Sequence, residues 1–180
     1  MSYPSTLDSH GMRNWATRAV GELAHRRDEI NALNVFPVPD SDTGSNMAHT
    51  MEAAVAELDN GGDVADSLAL GAVRGARGNS GMVLSQVLRG VAESTVDSVI
   101  DGDVFARSLQ QAVELVDRAI AEPVEGTVIT VLKAAAEAAD DAEAQSGATL
   151  HSIVSAAIAA AEKALERTPS QLPALREAGV

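Results

Sequence analysis

The stretch NVFPVPDSDTGSNM (residues 34–47) joins a proline-rich lead to two aspartates and then to the start of a helical pattern. Pro37 and Pro39 bias the residues before Asp40 toward extended backbone. Asp40 and Asp42 lie two positions apart, and their side chains can aim at one point if the backbone between them turns. Carboxylate oxygens are ligands that suit Mg²⁺. The spacing is therefore compatible with a metal site, and a plain turn that ends in a helix N-cap explains the same residues.

The residues that follow the aspartates are predicted to open the next helix. They are Thr43, Gly44, Ser45 and Asn46. The first backbone N–H groups of a helix have no intrahelical partner, so a helix N-terminus favours an anion such as phosphate. A divalent-cation site next to a phosphate site is what a complex of nucleotide and Mg²⁺ requires. These residues are therefore candidate nucleotide ligands.

A second glycine-containing segment, ARGNSGMVLSQ (residues 76–86), precedes another apolar helical pattern. Gly78 and Gly81 would let the backbone approach a ligand closely, and Asn79 and Ser80 would offer polar side chains. The segment lacks the GK[ST] signature of a Walker loop and the spacing of a dinucleotide-binding fingerprint. A simple connection between two helices also fits it. Two such segments in one helical domain favour the interpretation that both face a shared ligand.

The composition favours helices that pack through small aliphatic side chains. Of the 180 residues, 46% are hydrophobic but only 2% are aromatic, so the core must consist mainly of Ala, Val, Leu and Ile. A formal net charge of −13 argues against nucleic acid and anionic membranes as partners. The chain has no cysteine and no apolar run of transmembrane length, so we expect a cytoplasmic protein without disulfides.

Apolar residues recur at helical spacing along most of the chain, and this pattern predicts an all-α domain with eight helices and no strand. Asp63, Asp103 and Thr168 are predicted N-caps, with Pro169 at the first position of the last helix. Trp15 is predicted to lie on the apolar face of the first helix. The predicted helices cover approximately residues 10–30, 47–58, 63–73, 82–93, 103–120, 126–140 and 150–165, with a short one after residue 168.

Three motifs in this order carry a family resemblance: LNVFPVPDSDTGSNM (residues 33–47), GARGNSGMVLSQVLRG (residues 75–90) and PVEGTVITVLKAA (residues 123–135). Together they resemble the N-terminal kinase domain of bacterial fatty acid kinase A, which is related to DhaL, the nucleotide-binding subunit of dihydroxyacetone kinase. The resemblance extends from about residue 10 to residue 180. It implies an eight-helix antiparallel barrel of the DhaL type over residues 1–180, with ATP or ADP held at one end through two Mg²⁺ ions.

The resemblance also implies roles for individual residues. Asp40 and Asp42 match the metal-binding aspartates, and Asn34 lies nearest to a third, upstream aspartate of the DhaL branch. Ser41 replaces a glycine that is common in the motif, so a positive φ at this position would strain the backbone. The implied nucleotide-binding residues are Thr43, Gly44, Ser45, Asn46, Asn79, Ser80, Gly81, Gly126 and Thr127.

The implied activity is transfer of the γ-phosphoryl group of ATP to a fatty acid held by a separate fatty-acid-binding protein. A fatty acid carboxylate is already ionised at neutral pH, so we assign no catalytic residue beyond the metal ligands. In the DhaL branch, the partner is instead a dihydroxyacetone-binding subunit. Family members continue beyond the last residue of this chain into further domains. We therefore expect a nucleotide-binding fragment that is inactive alone, and a dimer is compatible with the sequence.

Overall fold

A computed structural model describes residues 3–180, and the prediction of an all-α fold is confirmed. No helix in this part of the chain combines the length and the apolar character that a membrane span requires. The described residues form nine α-helices rather than eight: α1 (Ser9–His25), α2 (Arg27–Ala32), α3 (Thr43–Glu57), α4 (Val64–Gly75), α5 (Gly78–Ser94), α6 (Gly102–Ala119), α7 (Val128–Glu143), α8 (Leu150–Gln171) and α9 (Pro173–Ala178).

A short antiparallel pairing contradicts the prediction that no strand forms. It joins β1 (Leu7–Asp8) to β2 (Val99–Ile100), with Leu7 opposite Ile100. Two-residue strands are too short to produce an alternating apolar pattern, so the sequence gives no signal for them. The pairing holds the segment before α1 against the segment before α6.

Side chains at the N-caps determine where several helices begin. The carboxylate of Asp8 accepts a hydrogen bond from the backbone N–H of Gly11 at 2.8 Å, and that of Asp101 accepts from Val104 at 2.9 Å. Asp63 caps α4, as predicted. Asp103 is not an N-cap, because α6 begins two residues earlier than predicted, after the N-cap Asp101, and places Asp103 in its first turn.

The C-terminal helices differ from the prediction because of a single proline. Pro169 lies inside α8, and the proline that opens α9 is Pro173. Pro169 has no N–H to donate to the carbonyl of Leu165, which would cost a helix one hydrogen bond. The hydroxyl of Thr168 donates to that carbonyl instead, at 2.8 Å. Thr168 is therefore a substitute donor within α8 rather than an N-cap.

The main hydrophobic core lies between α1, α3, α4 and α5. Met12 and Ala16 are the buried residues of α1, whereas Trp15 is 49% exposed, so its predicted place on the apolar face was wrong. A second cluster joins α6, α7 and α8 through Ala139 and Ile153, among others. Small side chains allow these helices to approach closely, in agreement with the composition.

The helices bring three N-termini to one end of the fold. The start of α5 contacts the start of α3, because a side chain at Gly78 would meet that of Asn46. Val83, near the start of α5, and Ile129, near the start of α7, belong to one buried cluster. The N-termini of α3, α5 and α7 therefore lie at the same end. Partial positive charges at helix N-termini make this end favourable for anions.

Asp63 links two distant segments at the start of α4. Its Oδ1 atom accepts from the backbone N–H groups of Ala65 and Asp66 at 2.9 and 3.2 Å, and its Oδ2 atom accepts from the hydroxyl of Ser98. The Ser98 hydrogen bond is the largest cause of a lowered pKa of Asp63, and the two backbone hydrogen bonds add to it. Each of these bonds favours the charged carboxylate.

We expect Asp63→Ala to lower the free energy of unfolding by about 1–2 kcal/mol at neutral pH, because a cap and a tertiary hydrogen bond are lost. The folded pKa lies below the unfolded pKa, so the stabilisation is present above the unfolded value, about 3.9. It is lost as the pH falls through the folded pKa. Urea unfolding of both proteins should therefore show a difference that narrows as the pH is lowered below about 5.

Asp59→Ala is the matched control, because Asp59 is exposed and, in the described part of the chain, its side chain makes no hydrogen bond. This change should leave stability within about 0.5 kcal/mol of wild type at every pH tested. An equal loss in the two variants would contradict a specific role of Asp63.

Candidate functional site

The two aspartates lie on a turn, which we call the aspartate loop (residues 34–42). Ser41 has a φ of +55°, so the backbone between Asp40 and Asp42 is left-handed rather than regular. This is the conformation for which glycine is best suited. The expectation that Ser41 is strained if its position needs a positive φ therefore applies here. Asp40 and Ser41 are exposed, and Asp42 is partly buried.

Asp42 is the N-cap residue of α3, but its side chain does not cap the helix. Its carbonyl accepts from the N–H of Asn46 at 2.8 Å, as an N-cap carbonyl should. Within residues 3–180, its carboxylate has no hydrogen bond and no ion pair. The carboxylates of Asp8, Asp63 and Asp101, by contrast, all cap their own helices. A plain N-cap therefore does not explain the carboxylate of Asp42.

The side chain of Asn34 forms hydrogen bonds that cross-link the aspartate loop. Its side-chain nitrogen donates to the carbonyl of Val38 at 2.8 Å and to the carboxylate of Asp40 at 2.9 Å. Its side-chain oxygen accepts from the hydroxyl of Thr43. Asn34 thus lies beside Asp40, where a third metal ligand would be expected. Both ends of the Asn34 amide therefore have partners, and these contacts link the aspartate loop to the start of α3.

The first turn of α3 packs tightly against α2. A Cβ atom at Gly44 would collide with the backbone carbonyl of Arg27, so Gly44 allows the two helices to touch. Asn31 of α2 binds Ser45 twice: its oxygen accepts from the Ser45 N–H at 3.1 Å, and its nitrogen donates to the Ser45 hydroxyl at 3.0 Å. Sequence reasoning missed Asn31, because no local pattern marks a contact across 14 positions.

The second glycine segment, which we call the glycine loop (residues 76–81), contacts the start of α3. Gly78 has a φ of +59°, and a Cβ atom there would lie 2.5 Å from the side-chain nitrogen of Asn46. Gly81 lies against the hydroxyl of buried Thr50. That hydroxyl donates to the carbonyl of Asn46 at 2.7 Å and accepts from the N–H of Arg77 at 3.4 Å. The structure therefore brings the two predicted segments together.

The third predicted segment lies at the start of α7. Gly126 is buried with a φ of +80°, and it packs against Leu172 at the end of α8. Thr127 caps α7 and donates its hydroxyl to the carbonyl of Val124 at 2.7 Å. Across residues 3–180, no hydrogen bond joins this segment to the aspartate loop or the glycine loop. Gly126 and Thr127 therefore share only the same end of the fold with the other candidates.

Comparison with known proteins defines the family. A sequence model of the DAK2 domain matches residues 37–180. The chain belongs to the DAK2 domain family. It is 38% identical to protein YloV of Bacillus subtilis (strain 168) over 181 residues, which cover 97% of this chain and 32% of the relative. It is 39% identical over 164 residues to uncharacterized proteins of Staphylococcus aureus strains USA300 and NCTC 8325, covering 88% of this chain and 30% of each relative.

The chain spans about a third of the length of these relatives. The family assignment links the domain to dihydroxyacetone kinases and to nucleotide-binding, kinase-like modules. The names of these relatives do not specify an acceptor for a phosphoryl group. Asn31 and Asn34 precede the residues matched by the family model, whereas both aspartates lie within them.

The donor atoms of this DAK2 domain fit a Mg²⁺ ion that is shared with a phosphate ligand. Among residues 3–180, no three acidic or histidine side chains cluster to form a complete metal site. Mg²⁺ does not need such a cluster, because it commonly binds one or two carboxylates, several waters and phosphate oxygens. Asp40 and Asp42 supply two carboxylates next to a helix N-terminus. The site would therefore be completed by its ligand.

We expect Ser41→Gly to stabilise this domain by up to about 1 kcal/mol, because glycine adopts a positive φ without the steric cost that serine bears. Part of the gain is offset by the greater freedom of glycine in the unfolded chain. Chemical unfolding without added metal would measure the difference. Ser146→Gly is the control, since Ser146 is exposed and does not have a positive φ. A stabilisation of equal size there would contradict relief of strain at Ser41.

Gly44→Ala should destabilise the domain by about 1–3 kcal/mol, because the added methyl group forces α2 away from α3. Gly21→Ala is the matched control: Gly21 lies within α1, and its Cβ would meet no atom within 4 Å. That change should stabilise the domain by about 0.5–1 kcal/mol through helix propensity. Thermal unfolding distinguishes the two, and similar effects would contradict the close packing assigned to Gly44.

Proposed function

We propose that this DAK2 domain binds ATP or ADP together with two Mg²⁺ ions, and that Asp40 and Asp42 are the carboxylate ligands. The observation that carries the proposal is the unused carboxylate of Asp42, set against three aspartates that cap their helices. A carboxylate at a helix N-terminus ordinarily accepts from the N–H groups of the first turn. The Asp42 carboxylate accepts from none of these N–H groups, so it remains available for a cation.

The backbone at the starts of α3 and α5 supports the phosphate part of the proposal. Within the described residues, no protein acceptor binds the N–H groups of Thr43, Gly44, Gly78, Asn79 and Ser80. The side chains of Asn79 and Ser80 also make no hydrogen bond there. Free amides at two adjoining helix starts provide donors for phosphate oxygens. Gly81 differs, because its N–H donates to the carbonyl of Arg77 at 3.0 Å.

The charge of the chain supports a metal-dependent mode of binding. With a formal net charge of −13, the domain would repel a free nucleotide anion. The nearby cationic side chains differ in their availability: Arg74 pairs with Glu57 at 3.3 Å, while Arg77 has no ion pair within residues 3–180. Bound Mg²⁺ would supply the missing positive charge and would neutralise charge on the transferred phosphoryl group. We therefore expect nucleotide affinity to depend on Mg²⁺.

For the full-length protein, we propose the activity of a fatty acid kinase. An oxygen of the fatty acid carboxylate would form a bond to the γ-phosphorus of ATP, the bond to the bridging oxygen would break, and ADP would leave with those electrons. The product would be an acyl phosphate. This domain would orient the nucleotide, while a fatty-acid-binding partner protein and regions outside this chain would supply the acceptor. The motif resemblance supports fatty acid rather than dihydroxyacetone as the acceptor.

The acceptor can be tested with the full-length protein, ATP and Mg²⁺. We expect acyl phosphate, trapped with hydroxylamine, when a fatty-acid-loaded carrier protein is added. Phosphorylation of dihydroxyacetone in the presence of its binding subunit, without acyl phosphate, would assign the protein to the other branch.

Calorimetry tests the nucleotide site itself. Wild-type domain should bind ADP in the presence of Mg²⁺ and bind it much more weakly after chelation. Asp42→Ala should abolish the Mg²⁺-dependent binding while changing the free energy of unfolding by less than about 1 kcal/mol, because no capping bond is lost.

Asp101→Ala is the matched control, since Asp101 uses its carboxylate as a cap. It should lower stability by about 0.5–2 kcal/mol and leave ADP affinity unchanged. The proposal fails if wild-type protein binds no ADP with or without Mg²⁺, or if Asp42→Ala and Asp101→Ala behave alike.

A further inference from the structure

The orientation of the Asn31 amide follows from its partners. A backbone N–H can only donate, so the Asn31 atom that lies 3.1 Å from the Ser45 nitrogen must be the side-chain oxygen. The other end of the amide is then the NH₂ group, 3.0 Å from the Ser45 hydroxyl oxygen. An NH₂ group only donates. The Ser45 oxygen must therefore accept, and its own hydrogen remains free for another partner.

The same reasoning determines the orientation of the Asn34 amide, but here the partner hydroxyl donates instead of accepting. A backbone carbonyl can only accept, so the atom 2.8 Å from the Val38 oxygen must be the side-chain nitrogen. The Asn34 oxygen then faces the hydroxyl of Thr43. That oxygen carries no hydrogen, so Thr43 must donate. The Thr43 hydroxyl therefore has only lone pairs left for any further partner.

We propose that Asn31 and Asn34 are positioning residues that give two hydroxyls in the first turn of α3 opposite hydrogen-bonding roles toward a ligand, one as a donor and one as an acceptor. Asn31 leaves Ser45 as a hydrogen-bond donor toward a nucleotide phosphate. Asn34 leaves Thr43 as an oxygen ligand toward the cation or its bound water. The inference rests on the proposed function and deepens it. Thr43 and Ser45 would then bind different parts of the ligand, the cation and the phosphate, instead of both contacting phosphate.

The connections of the two asparagines agree with this division. The nitrogen of Asn34 also donates to Asp40 at 2.9 Å, so Asn34 joins the Thr43 hydroxyl to a proposed metal ligand. Asn31 has no such link to either aspartate, because its two side-chain hydrogen bonds both go to Ser45. The Asn31 oxygen also accepts from the Ser45 N–H. The hydroxyl is therefore the Ser45 donor that remains available to a phosphate.

The first experiment measures two affinities for each hydroxyl variant. The affinity for Mn²⁺ alone is followed by the electron paramagnetic resonance signal of the free ion, and the affinity for ADP at saturating Mg²⁺ is measured by calorimetry. Ser45→Ala should weaken ADP binding by about tenfold and leave Mn²⁺ affinity within about twofold, because a hydrogen bond to a charged group is lost. Thr43→Val should weaken Mn²⁺ binding by at least about threefold.

Thr43→Ser is the conservative control, because it keeps the hydroxyl that Asn34 binds. It should restore the Mn²⁺ affinity to within about twofold of wild type. If Ser45→Ala weakens Mn²⁺ binding as strongly as ADP binding, or if Thr43→Val leaves Mn²⁺ binding unchanged, the assigned polarities are overturned.

A double-mutant cycle tests the positioning role of Asn31. In Asn31→Asp, both side-chain oxygens are acceptors, so one keeps the Ser45 N–H bond and the other draws the Ser45 hydroxyl hydrogen away from the ligand. The added charge also repels phosphate, and the same change in a Ser45→Ala background measures that repulsion alone. We expect the loss of ADP affinity to be at least about fivefold larger when Ser45 is present.

Asn14→Asp adds the same charge on α1, outside the two loops, and should leave ADP affinity nearly unchanged. An equal effect of Asn31→Asp in both Ser45 backgrounds would overturn the role of Asn31. The two proposals fail differently: no ADP binding by the wild-type domain overturns both, whereas normal wild-type binding without these patterns overturns only the positioning roles.

Discussion

The close approach of α3 and α5 at their N-termini is the constraint on which the candidate site depends. Gly78 and Gly81 lie where a Cβ atom would meet the side chains of Asn46 and Thr50, so glycine at these positions lets the two helices approach without displacing either side chain. The hydroxyl of Thr50 then bridges the carbonyl of Asn46 and the N–H of Arg77. Without this contact, the free N–H groups at the starts of α3 and α5 would not lie side by side.

Aspartates at the helix starts of this chain differ in their hydrogen bonding. The carboxylates of Asp8, Asp63 and Asp101 accept from backbone N–H groups in the first turns of their helices, and these caps fix where the helices begin. Asp42 occupies an equivalent position without such bonds. Ser41, the residue immediately before this N-cap, has a left-handed backbone that changes the direction of the chain. Local strain at a polar turn is a common property of binding sites.

Local patterns in the sequence predicted most of the helices but not all of their ends. Helical spacing was sufficient for α3 to α8, and the predicted cap at Asp63 is confirmed. The sequence predicts a helix start at Pro169, because a proline inside a helix removes a hydrogen bond. In the structure α8 continues through Pro169, and the hydroxyl of Thr168 donates to the carbonyl that the missing N–H leaves without a partner. Trp15 fitted an apolar pattern but faces solvent. Hydrophobic spacing reports which faces are apolar, not which of them find a partner.

The sequence by itself determined the all-α class, the two carboxylates on a turn, and the glycine-containing segments at the starts of α3 and α5. These features depend on neighbouring residues, so spacing and residue type are enough to reveal them. Only the tertiary structure decided that the two segments meet, that Asn31 holds Ser45 across 14 positions, and that Thr50 binds Arg77 across 27. Such contacts arise from how helices pack, and the pairing of distant polar atoms leaves no periodic signal in a single chain.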